Sequence, residues 1–300
     1  MAKGNIGNLL QHFVALHVAE KLVAGWGQPL EAIEYIDCFS MSPWEAIKGN
    51  QSQGFVERVK SFEEKSTHGD FVADVFAKFW NARYGADAIP KHPRSRDYPN
   101  TAVLLTTAFP DQHWNMRLHE DDSSAAGKNA LLTSWAAERT NGTYTVSGKW
   151  AQSEQIFNAP VPLDRPVMVM LDPTQIVKDD STKTDNSAYL SAQRIRYLFG
   201  EHALRVSRRA RQANLKPLVI MAFSFAEAYP EYSNKIIHDQ FKPADGWQIE
   251  RVTLEQRQAR GTECVHQGWI IASGLEKPIF ENSLQTAWDH WNELAPATLA

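Results

Sequence analysis

The sequence predicts an α/β protein built on a doubly wound, mostly parallel sheet with an antiparallel C-terminal edge, and three observations carry that prediction. The run Val167-Met168-Val169-Met170-Leu171 is apolar without alternation and stops at Asp172-Pro173, the pattern of a strand covered on both faces. A second buried-strand run spans 217–223. Between the first helix and these runs, strand-like and helix-like segments alternate, which argues for parallel strands joined by helical crossovers. With 300 residues, 43% of them hydrophobic, the chain is long enough for one large domain or two small ones and for a sizeable core.

Taken in order, Leu9, Leu10, Phe13, Val14, Leu16, Leu22 and Val23 recur at helical spacing over 8–24, with Asn8 as the expected cap. Residues 25–29 break that helix, and 32–37 read as a short strand ending in Asp37. The segment 44–97 reads as helical in two or three pieces, including 55–62 and 71–84, and is more charged than its surroundings, like an inserted helical subdomain. Pro90, Pro93 and Pro99 make 89–100 turn-rich and close the insertion. Next come 101–108, which suits a helix or a strand, a strand over 114–119, a helix over 128–139, a strand over 144–146 and a helix over 151–157. After the strand at 167–171, the polar run 178–185 suits a loop able to act as a lid. A long or broken helix over 188–214, strands near 247–254 and 268–273, and a helix over 282–294 complete the reading.

Composition narrows the partners. A net charge of -4 gives no global bias toward nucleic acid or an anionic membrane. Only Cys38 and Cys264 are present, so no disulfide framework is expected and a reducing cytoplasm is the simpler setting. The first apolar segment is interrupted by Gln11, His12, His17, Glu20 and Lys21, unlike a signal peptide. The longest apolar runs are too short to span a bilayer, so no membrane partner is expected. The ten histidines show no metal-ligand spacing, and no metal site is expected.

Asp37 and Asp172 each follow a strand, where a doubly wound sheet presents side chains to a ligand. The alternative is that each caps the turn after it. The loop after Asp37 is Cys38-Phe39-Ser40-Met41-Ser42-Pro43-Trp44 rather than glycine-rich, so Phe39, Met41 and Trp44 are expected to fill space that a cofactor would take. Cys38 sits where a strand-end nucleophile could sit, with His12 or His119 as bases, but a lone cysteine there is far more often a small core residue.

Five short motifs follow one another in order: Gly4-Asn5 with His12, Tyr35-Ile36-Asp37, Tyr98-Pro99-Asn100-Thr101, Arg117-Leu118-His119, and Asp172-Pro173-Thr174-Gln175. Together, from Gly4 to about Gly274, they resemble the ribosomal RNA adenine methyltransferases that modify the exocyclic amine of a large-subunit adenine, and more loosely the three-Cys-motif partner proteins. The resemblance implies a Rossmann-like methyltransferase domain over 1–43 and 98–300 with a helical subdomain, 44–97, inserted. It implies S-adenosylmethionine as cofactor, held near His12, Asp37, Thr101 and His119, with Asp172 as the catalytic residue orienting the acceptor.

The departures fall on working positions. Arg117 stands where the family carries the acid that holds the cofactor ribose, although Glu120 is close by. Gln175 stands where the family's Tyr stacks on the flipped base, a loss of about 1 to 3 kcal/mol. Seven basic residues between 193 and 216 oppose the single acid Glu201, and Arg205, Arg208 and Arg209 could contact phosphates or pair with the acidic loop. Lys91, His92, Arg94 and Arg96 form a second basic cluster. The expected function is therefore a diverged S-adenosylmethionine-dependent methyltransferase acting on or binding nucleic acid, with Gln175 and the three arginines on the substrate side. The competing readings are an inactive methyltransferase-like protein working beside a protein partner, and a remodelled site for another small molecule.

Overall fold

The computed structural model describes residues 6–25, 32–46, 71–85, 97–120, 127–148, 162, 164–172, 175–177, 189–191, 216–226, 230–257 and 263–273. Its centre is a seven-stranded sheet. Five strands run parallel, in the spatial order β5 (Gly142–Ser147), β4 (Trp114–His119), β1 (Ile33–Asp37), β6 (Val167–Leu171) and β9 (Leu218–Ala226). Beyond β9 lies β11 (Glu263–Ser273), antiparallel to it, and then β10 (Trp247–Arg257), antiparallel to β11. This is a Rossmann-like α/β fold with an antiparallel edge, as the apolar runs and the alternation of elements led one to expect. The strand order reverses at β1: the chain moves outward to β4 and β5, then returns to the other side of β1 for β6 and β9.

Alternation along the strands splits the apolar side chains into two cores, one on each face of the sheet. Ile33, Tyr35, Met116, Leu118, Met168, Met170, Val219 and Met221 face the first, together with α1 (Ile6–Gly25), α2 (Phe71–Tyr84), α3 (Thr101–Ala108) and α4 (Lys128–Ala137). Ile36, Val167, Val169, Leu171, Ile220, Trp269 and Ile271 face the second, covered by Ile236 and Ile237 of α5 (Pro230–Gln240) and by Phe241. That two-sided burial is why β6 and β9 read as continuous apolar runs.

Several details differ from the sequence reading. The first helix begins at Ile6, so Asn8 lies inside it and does not cap it. The start of the expected helical insertion, Trp44–Ala46, is a strand, β2, paired antiparallel with β3 (Asp97–Pro99), so a small ladder clamps the two ends of the segment together. Residues 101–108 resolve as helix: Asn100 caps the first turn, and Thr106 and Thr107 turn their hydroxyls back onto Ala102 and Val103 carbonyls. Within the expected helix 188–214, Tyr189–Ser191 is a strand, β8, because it pairs in parallel with β7 (Gln175–Val177), and such tertiary pairing overrides local propensity. Helix α5 was not anticipated. The expected helices at 55–62, 151–157 and 282–294 and the loop 178–185 lie outside the described residues.

Candidate functional site

In an open α/β sheet the ligand crevice forms outside the carboxyl ends of the strands, at the point where the strand order reverses. Here that point lies between β1 and β6. A crevice enclosing about 450 Å³, its open mouth included, sits there, and Asp37 and Asp172 line it. Asp37 ends β1; Asp172 follows the last residue of β6. His12 and Gln11 reach it from α1, Tyr98 from β3, and Thr101 from the start of α3.

These side chains form a bonded chain. The Tyr35 hydroxyl donates to Asp37 Oδ2 at 2.9 Å, and the Phe39 backbone N–H donates to Oδ1 at 3.0 Å. Thr101 contacts the Tyr35 phenol and lies 3.2 Å from Nδ1 of His12. Tyr35 precedes Asp37 by two positions, so the strand's own period places both on one face. The sequence reading missed this residue, although the period could have found it.

Burial dominates the electrostatics. It pushes Asp37 up to about 6, against the hydrogen bonds from Phe39 and Tyr35 that favour its charged form. Half-buried Asp172 is pushed up to about 7, first by desolvation and then by the charge of Asp37, with a hydrogen bond from Gln11 acting the other way. The two carboxyls thus oppose each other's ionisation. Burial also takes His12 down to about 3, which leaves the imidazole neutral.

The loop after β1 is pinned from both sides. Ser40 donates its backbone N–H to the His119 carbonyl at 2.8 Å and accepts the His119 N–H on its hydroxyl at 3.2 Å. Asn100 donates its side-chain amide to the Ser40 carbonyl at 2.9 Å, donates its backbone N–H to the Pro43 carbonyl, and accepts the Val103 N–H on Oδ1. One buried Asn therefore caps α3 and holds the crevice wall. Asn100→Ala should cost about 1 kcal/mol for the cap and a further 1 to 3 kcal/mol for the buried carbonyl it leaves behind, read as a lowered urea midpoint.

Phe39 and Met41 line the crevice, as their bulk suggested, and Met41 sits in the left-handed region at φ 61, which costs a non-glycine residue about 1 to 2 kcal/mol. Trp44 does not line it; the Trp44 ring packs against the first core and carries the Arg83 guanidinium 4.0 Å from its centroid. Cys38 belongs to the second core, on the far face from Asp37, and burial raises its thiol, so it is no crevice nucleophile.

His119 stands at the end of β4, one strand over. It is not among the lining residues, and its Nδ1 lies 3.2 Å from the Gly148 carbonyl and 3.1 Å from the Ser147 hydroxyl. Burial lowers it to about 4. Arg117 pairs with the buried Glu34 at 2.5 Å. Gln175 opens β7. Arg205, Arg208, Arg209 and the cluster at 91–96 lie outside the described residues. Among the described residues, no three His, Cys, Asp or Glu side chains converge as a metal site, and no helix is long and apolar enough to cross a membrane.

The whole architecture recurs elsewhere. Protein LPL1258 from Legionella pneumophila, of the DUF519 family, superposes with a TM-score of 0.62 over 98% of this chain and 95% of its own, at 9% identity. The likeness is one of fold. Protein PH0793 from Pyrococcus horikoshii, a candidate transferase, also matches at 9% identity over 86% of this chain and 63% of its own, but its TM-score of 0.31 carries no argument. No family model matches the chain, and no curated protein does.

Proposed function

We propose that this protein is a diverged S-adenosylmethionine-dependent methyltransferase whose acceptor is a nucleic acid. The observation that carries the reading is the meeting of Asp37 and Asp172, from β1 and β6, in one crevice at the point where the strand order reverses. They are the two motif acids of the family resemblance, and His12 and Thr101, from two further motifs, line the same crevice.

The residues present fit such a cofactor in kind. Asp37 and Thr101 supply polar contacts, and Phe39, Met41 and Met170 supply an apolar wall. When bound, S-adenosylmethionine supplies an electrophilic methyl group. The chain's own part is to orient the acceptor: Asp172, with its proton affinity raised toward neutrality, accepts a hydrogen bond from the acceptor amine when ionised. His119 would act through Ser40, fixing the loop rather than touching the ligand. Gln175, Arg205, Arg208 and Arg209 are assigned to the acceptor side.

One observation favours a second reading. Phe39 and strained Met41 occupy the wall where the family has small residues, which suits a site remodelled for a smaller ligand.

Calorimetric titration with S-adenosylmethionine separates the two. Micromolar binding that disappears in Asp37→Ala supports the methyltransferase reading. Absence of binding to the intact protein would sink it and turn the search to smaller ligands.

A further inference from the structure

The crevice is unbalanced in charge. Asp37 and Asp172 act on each other across the end of β1, Glu45 stands in the lining, and Glu120 adds its field to Asp37. Against these acids the described residues of the lining offer one base, His12, which burial keeps neutral. Two described cations at the margins have acidic neighbours: Lys128 lies 3.9 Å from Glu45, and Arg117 pairs with Glu34. Tyr35, Tyr98 and Cys38 are all raised by burial and stay protonated near neutral pH, and His119 behind Ser40 is neutral as well.

We propose that this crevice selects a ligand bearing a compact positive charge, a sulfonium or an ammonium, over its neutral or anionic counterpart, and that filling it expels a proton from the Asp37 and Asp172 pair. The inference rests on the reading of the crevice as the cofactor site and specifies what that site distinguishes.

Two carboxyls that resist ionisation together gain a counter-ion when a cation enters, so both become easier to ionise and a proton leaves. A phosphate would add a third negative group to a partly desolvated site, which the same field opposes. The soft part of the lining suits a polarizable cation: Phe39 and Tyr98 offer aromatic rings, and Met41 and Met170 offer thioethers. Binding a cation that displaces a proton strengthens as pH rises, until the pair is ionised without it.

The test titrates the full chain with S-adenosylmethionine, S-adenosylhomocysteine and trimethylsulfonium at pH 6.5, in two buffers of different ionisation enthalpy. The first two differ at the reacting centre by one methyl and one positive charge. The sulfonium should bind about tenfold more tightly or better, as expected for a charge interaction that moves a carboxyl by about one pKa unit. It should release a measurable fraction of a proton, and its affinity should climb between pH 5.5 and pH 8. Asp172→Asn, which leaves Asp37 as the one carboxylate of the pair, should shrink both the preference and the proton release.

Equal affinities for the two adenosyl ligands, or binding without proton release, overturn the charge selection and leave the cofactor reading standing. If neither adenosyl ligand binds while trimethylsulfonium still binds and releases a proton, the cofactor reading fails and the selection holds. Silence from all three overturns both.

Discussion

Asp172→Asn should be more stable than the wild-type protein at pH 8 and indistinguishable from it at pH 4. The Asp172 carboxyl is raised from its ordinary 3.8 to about 7 by burial and by Asp37. The folded protein therefore holds this proton more tightly than the unfolded chain. As pH rises from about 4 to about 7, the unfolded state ionises first, and the wild type loses stability that the uncharged amide does not lose. Each pKa unit is worth about 1.4 kcal/mol; allowing for the solvent that reaches a half-buried carboxyl, the gain at pH 8 is on the order of 2 to 4 kcal/mol. Urea melts across the pH series measure it. A variant that is less stable than wild type at pH 8 would mean that the carboxylate has partners that repay its burial.

The histidines work in the opposite direction over the same range. His12 and His119 fold as neutral groups, at about 3 and about 4 against an ordinary 6.5. As pH falls below 6.5 the unfolded chain takes up protons that the native state refuses, and stability drops. Between pH 4 and 6, Asp37 and Asp172 gain stability on acidification while His12 and His119 lose it. The wild-type curve is therefore flatter than either pair alone would make it, and removing Asp172 exposes a steeper loss in acid.

Trp269→Ala should cost about 3 to 5 kcal/mol, as removal of a fully buried Trp does when its surroundings cannot collapse. Trp269 is wholly buried on β11 in the second core, and its Nε1 donates to Asn234 Oδ1 of α5 at 3.3 Å, so it ties the antiparallel edge to the helix above. The crevice lies at the carboxyl ends of the strands, with Met170 and Tyr98 in the first core and only Phe39 of its described lining packed against the second. Urea unfolding should show a strongly lowered midpoint, whereas ligand affinity of the protein that remains folded should be unchanged. An equal loss of affinity would show that the two faces are coupled.

What is legible in the sequence follows from burial. β6 and β9 stand out because both faces are covered, and the acids at the ends of β1 and just past β6 mark the crevice. The Thr101 helix is ambiguous because its first six residues are all buried, which erases any amphipathic pattern, although Asn100 ahead of it is a readable cap. Tyr189–Ser191 is misread because a three-residue pairing with β7 leaves too short a signal to compete with the helix-forming composition of the sequence after it. Trp44 illustrates a different limit. Its bulk is plain in the sequence, but its direction depends on Asp97–Pro99 pairing with it from more than fifty residues away, which places Arg83 over its ring.

The sheet's far edge has a consequence for how the chain assembles. β10 is made before β11, yet it touches the rest of the sheet only through β11. During synthesis, β10 has no rung to join, and β9 presents an open backbone edge until the later strand arrives. That edge is long and apolar, the kind that recruits foreign strands. β10 can therefore join only together with β11 or after it, and a chain stalled between the two would carry a flank that is still adhesive.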